Sequence, residues 1–349
     1  MRIKYCFIFL FFFSFCTAIA QENPRITLFP WMHPYYNPGA MGENELNLNF
    51  TGIFRQQSMG MQVPQQETNN TDGTGTNPPT KTTYDKVNGE QIYLNVDSYI
   101  KKIKGAIGIS FLKDKNGYYD NIDFKLGYAA RLPVYGGKLG IGVQLGFLNQ
   151  KLPADKLHPH DNPDPLITNM TESYLDFDIN FGLHYKAPTW YVGVSGTQLI
   201  GGVRVSGGKD VSSLARRIYI SGGYIWNLKT AVPWSIEPSI LIGSNFATWS
   251  MDVMAVARYN GIIWFGLTYQ LQQGIAVLLG AVPFYYSTNT YLRGLELGLS
   301  YTFATSKFSY KSSGGWGDFE ILIRYGFNFF REKPLTGYGS SRHLYKNQY

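Results

Sequence analysis

Asp318–Phe330 reads D-F-E-I-L-I-R-Y-G-F-N-F-F, and this stretch decides the fold. Successive side chains of a strand point to opposite faces. Laid out as a strand, Phe319, Ile321, Ile323, Tyr325, Phe327 and Phe329 share one face, and Glu320, Leu322, Arg324, Gly326 and Asn328 share the other. A soluble sheet does this once. This chain does it repeatedly, with aromatic residues at the ends of the oily faces. Such repetition marks an all-β, antiparallel transmembrane barrel, with lipid outside and a wet or plugged lumen inside.

Working outward, alternation and the intervening turn residues mark about 14 strands. They lie near Glu45–Gln56, Gln91–Lys101, Gly105–Lys113, Asn121–Leu132, Lys138–Asn149, Tyr174–Ala187 and Trp190–Gln198 in the first half. The second half gives Arg216–Asn227, Trp234–Gly243, Ser250–Asn260, Ile262–Gln270, Gly274–Phe284, Arg293–Ala304 and Asp318–Phe330. In the sixth, Leu175, Phe177, Ile179, Phe181, Leu183 and Tyr185 oppose Asp176, Asp178, Asn180, Gly182 and His184. The strands at Ile262–Gln270 and Gly274–Phe284 are apolar on both faces in places, as expected where the inner face meets a packed plug. If the first strand rises from the periplasm, the odd-numbered connections lie outside the cell and are mostly the longer ones, as barrels of this kind require. The short eleventh and longer twelfth connections are exceptions. The first outer loop, Gln57–Glu90, is rich in Gln, Asn, Thr, Gly and Pro and reads as a mobile loop.

Composition agrees. Aromatic residues make up 16% of the chain, with 38 Gly and 26 Tyr, yet mean hydropathy is only −0.17. Polar lumen residues dilute each oily face, so a barrel has unremarkable hydropathy. Met1–Ala20 reads as an export leader: Arg2 and Lys4, an apolar run from Cys6 to Phe15, then Ala18-Ile19-Ala20 before Gln21. Both cysteines, Cys6 and Cys16, fall in it, so the exported chain has no disulfide and no thiolate chemistry. Without Arg2 and Lys4 the net charge of +7 falls to +5 (7 − 2), too diffuse for nucleic acid.

The chemistry-bearing motifs are few. His158-Pro159-His160-Asp161, in the third outer loop, reads as a polar loop or an adventitious metal site. Gly193-Val194-Ser195-Gly196 lacks the spacing of a nucleophile elbow, and there is no phosphate-binding loop and no H-E-x-x-H. No enzyme, cofactor or resident metal is expected. The inward candidates Arg55, Asp123, Lys125, Arg131, Asp176, Asp178, Glu237, Arg258, Glu296 and Arg324 carry both signs, and read as a paired charge network in an occluded lumen. Gln21–Gly42, with Phe29, Trp31, Tyr35 and Tyr36, is the plug candidate.

One stretch is more specific. Asn37-Pro38-Gly39-Ala40-Met41-Gly42 is followed by a strand ending in Phe54-Arg55-Gln56. Further on come Tyr128-Ala129-Ala130-Arg131-Leu132 with Lys138-Leu139-Gly140-Ile141-Gly142, then Tyr191–Ser195, Gly222-Gly223-Tyr224, Glu237-Pro238-Ser239 and Phe319-Glu320-Ile321. In this order the motifs resemble the PorP/SprF family of type IX secretion and gliding-associated outer-membrane proteins. Gly39 stands at that family's usual Ala, Gln57 replaces its usual Trp, and Phe319 replaces its usual His. A basic tail, Arg331–Tyr349, runs past the point where such barrels normally stop. The resemblance implies a non-enzymatic barrel in outer-membrane lipid, with periplasmic type IX secretion subunits or the C-terminal domain of a secreted adhesin as partner. The alternative is a passive channel or a transporter of hydrophobic compounds on a similar barrel. The expected layout is a leader (1–20), a periplasmic or plug segment (21–44), the barrel (45–330) and the tail (331–349). Asn37, Pro38, Gly42, Arg55, Arg331 and Lys333 are the expected partner or plug contacts, with the Asn37–Gly42 turn and the tail as neighbours at the periplasmic end.

Overall fold

A computed structural model describes residues 25–59, 62–66, 82–86, 89–117, 119–152, 172–200, 203–206, 209–213, 215–228, 233–289, 291–304 and 317–327. The leader, His158 and His160, and the tail with Arg331 and Lys333 lie outside the described residues. The wall consists of β1 (Leu48–Gln57), β2 (Gly89–Ile100), β3 (Gly105–Asn116), β4 (Tyr119–Val134), β5 (Gly137–Leu152), β6 (Glu172–Lys186) and β7 (Trp190–Thr197). It continues through β8 (Arg217–Tyr224), β9 (Trp234–Ser244), β10 (Trp249–Tyr259), β11 (Ile263–Gln270), β12 (Gly274–Ala281), β13 (Leu295–Ala304) and β14 (Asp318–Phe327). Trp226–Asn227 carries β8 on past Ile225.

Every neighbour is antiparallel. β1 pairs with β2 on one side and, from Leu48↔Phe327 to Gln56↔Phe319, with β14 on the other, while β8 pairs with both β7 and β9. The 14 strands therefore close into a barrel. Closure satisfies the edge backbone groups that lipid cannot.

The alternation holds at residue level. In β6, Phe177 is 65% exposed and Asn180 is 0% exposed. Aromatic pairs ring both ends of the outer surface: Phe147 with Phe177 toward the long loops, Tyr185 with Trp190 and Trp234 with Tyr259 toward the short turns. These are the interfacial girdles of an outer-membrane barrel.

Some boundaries differ from the sequence reading, for local reasons. β1 begins at Leu48 rather than Glu45, because Glu45 (φ 50°) sits in a turn whose N–H reaches Gly42 O. β12 ends at Ala281 rather than Phe284, because Pro283 offers no N–H to the ladder and Tyr285 N–H turns back to Val282 O. The first outer loop carries a hairpin, Gln62–Gln66 paired with Thr82–Lys86, where irregular chain was expected; a second hairpin pairs Val203–Ser206 with Lys209–Ser213.

The core of the molecule lies in the lumen. Arg25–Leu46 descends through it as three short helical turns, Phe29–Met32, α1 (His33–Tyr36) and Pro38–Ala40. Ile26, Leu28, Phe29, Met32, Ala40 and Met41 are all fully buried there. Arg25 sits at the long-loop end, donating to Leu271 O and Met251 O. Leu46 sits at the short-turn end, where its carbonyl accepts from Tyr99 N–H. The plug thus runs down the lumen before β1 runs up again.

Candidate functional site: the plug seat and the cavity beneath it

The plug is held differently along its length. At the outer end, the Glu320 carboxylate accepts from Thr27 N–H at 2.7 Å and from Leu28 N–H at 3.1 Å, fixing the first turn. Arg25 pairs with Asp252 at 2.5 Å. Arg55 pairs with Asp318 at 2.6 Å, lies 3.5 Å from Glu320, and also donates to Arg25 O. Below them, Phe29 and Met32 join Met254, Val256, Leu278 and Leu322 in one apolar cluster, and Trp31 stacks on Trp264 at 4.9 Å. This explains why β11 and β12 are apolar on both faces.

Halfway down, the wall loses its side chains. Gly108, Gly127, Gly140, Gly142, Gly182 and Gly193 come from five consecutive strands, β3–β7, and residues 37–41 lie against their bare backbone. A Cβ on Gly39 itself would stand 2.8 Å from both Gly140 O and Gly182 O. Asn37 donates to Leu183 O and accepts from Gly39 N–H, each at 2.9 Å. Ser195 donates to Tyr36 O at 2.6 Å, and Arg131 donates to Met41 O at 2.7 Å. Gly42 N–H reaches Asp97 at 3.0 Å. Burial pushes the phenols of Tyr35 and Tyr36 up, so both stay neutral.

Beneath the plug a cavity of about 230 Å³ faces the short-turn end. Its walls include Trp31, His33, Glu43, Tyr191 and Met254, and a ring of both signs: Lys138, Lys186, Arg258 and Arg324 with Asp97 and Glu237. Arg258 bridges Glu237 (3.3 Å) and Glu296 (3.1 Å), and Arg324 adds to Glu296 at 3.4 Å. Burial pushes the Glu43 carboxyl up, but Lys186 and two histidines outweigh it and hold it well below the usual carboxylate range.

The expected charge network is therefore brought together in three clusters rather than one. Arg55 belongs to the outer cluster. Asp123 and Lys125 pair at 3.0 Å beside Tyr35, with buried Asp178 on β6, two strands away, and Asp176 half-buried above it. Glu237, Arg258, Glu296 and Arg324 form the lowest. Arg131 serves the plug backbone. Asn37, Pro38 and Gly42 are plug contacts inside the barrel, not a turn at its periplasmic mouth: the glycine cradle draws them in. Sequence reasoning missed Arg25, Glu43, Asp97 and Asp252. Arg25 and Asp252 are 227 residues apart and Glu43 and His184 are far apart too, and the descent of the plug makes them neighbours.

A sequence model of the type IX secretion system membrane protein PorP/SprF matches residues 18–325. The chain belongs to the PorP/SprF family. It is an outer-membrane barrel of the type IX secretion system, and the long-loop end of this PorP/SprF barrel faces out of the cell. No curated protein matches it. Three similar crystal structures are the Ralstonia pickettii toluene transporter TbuX, the Acinetobacter baumannii outer membrane protein Omp33 and a Pseudomonas aeruginosa FadL homologue. TbuX is 9% identical, with 85% of this chain and 93% of that one covered and a TM-score of 0.46. Omp33 is 9% identical over 82% and 100%, and the FadL homologue 10% identical over 85% and 94%, each with a TM-score of 0.43.

Proposed function

We propose that this PorP/SprF barrel is a sealed, non-enzymatic component of type IX secretion and gliding that works by binding. Its periplasmic end receives secretion subunits or the C-terminal domain of a secreted adhesin. The observation that carries this reading is the filled lumen: Arg25–Leu46 occupies the space a solute would need, and hydrogen bonds at Thr27, Leu28 and Asn37 tie it to the wall. Opposite charges confined in a narrow space pair with each other rather than line a water path. The basic run of the sequence from Arg331 and Lys333 onward suits an acidic partner surface.

Affinity purification from native membranes tests the binding half. Type IX subunits or an adhesin domain should co-purify, and a strain lacking Lys333–Tyr349 should insert its barrel normally but recover less partner. Normal recovery and secretion in that strain would remove the tail from the account. A second reading, transport of a small hydrophobic compound, is favoured by the apolar part of the cavity wall, Trp31, Tyr191, Met254 and Val256. Planar-bilayer recording separates a sealed barrel from a passive channel: large, steady conductance of the purified protein would favour the channel.

A further inference from the structure

Three ionisable side chains with metal-ligating atoms meet beside the cavity. His33 and Glu43 come from the plug, and His184 from β6 of the wall. Glu43 Oε2 lies 3.4 Å from His33 Nδ1 and 3.0 Å from His184 Nε2, and one ligand atom from each of the three lies within 4.8 Å of the others. An ion bound at 2.0–2.2 Å with tetrahedral angles separates its ligands by about 3.3 Å. Two of the three edges, at 3.4 and 3.0 Å, are near that length, and closing the third, at most 4.8 Å, needs the two imidazoles to approach by up to ~1.5 Å.

A hydrogen-bonded triad explains the same residues less well. His184 Nε2 is buried 3.0 Å from Glu43 Oε2 yet has no partner in hydrogen-bond geometry, and it is the nitrogen that an ion between the three side chains would take up. Buried polar atoms left so are uncommon, and an ion is one of the standard reasons for them. The surroundings hold the rings in place. Tyr191 packs against His33 at 4.8 Å and against His184 at 5.6 Å. A Cβ at Gly193 would stand 3.0 Å from His184 Nδ1, so the neighbouring strand leaves the ring its space. Glu43 Oε1 faces Lys186 at 4.0 Å, which leaves Oε2 as the ligating oxygen. Lys186, Arg131 and Lys138 oppose a cation, and the carboxylates of Glu43, Glu45 and Asp97 offset them. The cavity borders the triad and offers both an entry path and a fourth ligand position for water.

We propose that His33, Glu43 and His184 bind one divalent ion of the zinc class, which clasps the plug to the barrel wall. Two neutral imidazoles and one carboxylate suit zinc, with a coordination position left open. The clasp is independent of which partner the barrel binds.

The test uses the full-length barrel in detergent, stripped with chelator and titrated with Zn²⁺ alone, with Co²⁺ as a spectroscopic reporter. His158→Ala/His160→Ala is the background, so that the outer-loop histidines cannot contribute. Uptake close to one equivalent is expected, with Co²⁺ giving the intense visible bands of a four- or five-coordinate site. His33→Gln and His184→Gln keep hydrogen-bonding capacity but lose the imidazole. Each should weaken Zn²⁺ binding by at least the ~10–100-fold that loss of an outer-shell partner alone costs. Folded barrel that takes up no Zn²⁺ in the His158→Ala/His160→Ala background overturns the proposal, and so does uptake that both glutamine variants leave unchanged.

Discussion

The outer and inner halves of the plug are secured by opposite means. From Arg25 to Met32 the segment meets β9–β14 through large apolar side chains and the buried Arg25–Asp252 ion pair. From Asn37 to Met41 it meets β3–β7 where glycines open the wall, so that the plug lies close against the strand backbone. The first half is held by burial, which is non-directional and forgiving of small shifts. The second is held by close approach and directed hydrogen bonds, where one added methyl has nowhere to go. A barrel lumen can thus be sealed by filling it on one side and by hollowing the wall on the other.

The largest expected effect tests the filled side. Trp264→Ala removes the partner of Trp31 and leaves a cavity in the apolar cluster, at a cost of ~3–5 kcal/mol. Denaturant unfolding in detergent should show that loss, and a variant as stable as the parent would mean that the outer half is not held by packing. Next comes the hollowed side. The Cβ of Gly142→Val would run into the backbone of Pro38, with an expected cost of ~1–3 kcal/mol and raised ion conductance as the inner half lifts away. Gly222→Ala is the control, since its nearest neighbour would be at an ordinary 3.6 Å. If the two glycines tolerate substitution equally, the cradle is not what positions the plug. The smallest effect belongs to Asn37→Ala, which gives up the bonds to Leu183 O and Gly39 N–H. About 0.5 kcal/mol should be lost for each, ~1 kcal/mol in all, with the barrel wall unchanged.

Much of this wall was legible in the sequence because a period of two has only one register that keeps lipid and lumen apart. Asp318–Phe330 and Leu175–Tyr185 show it plainly, and the two-sided apolar pattern at Ile262–Gln270 announced a packed interior. The glycines at 140, 142, 127 and 182 were visible as an inner face, but a bare face reads equally well as water-lined. Nothing local in Asn37–Gly42 says that it lies inside the barrel rather than below it. That follows only from the match between a compact turn and bare strands more than a hundred residues away in part. For the same reason the clasp of His33, Glu43 and His184 was out of reach: His184 was recognisable as a lumen residue, but its partners were not.

The central claim is that Arg25–Leu46 threads the lumen with its beginning at the outer end. One cross-link tests it directly. Thr27 and Thr302 face each other with their hydroxyls 3.1 Å apart, and the only cysteines of the chain, Cys6 and Cys16, lie before Gln21. In intact cells, Thr27→Cys/Thr302→Cys should form a disulfide, read as a mobility shift lost on reduction and absent in either single variant. Two free thiols, both open to maleimide under oxidising conditions in a correctly inserted barrel, would contradict the account.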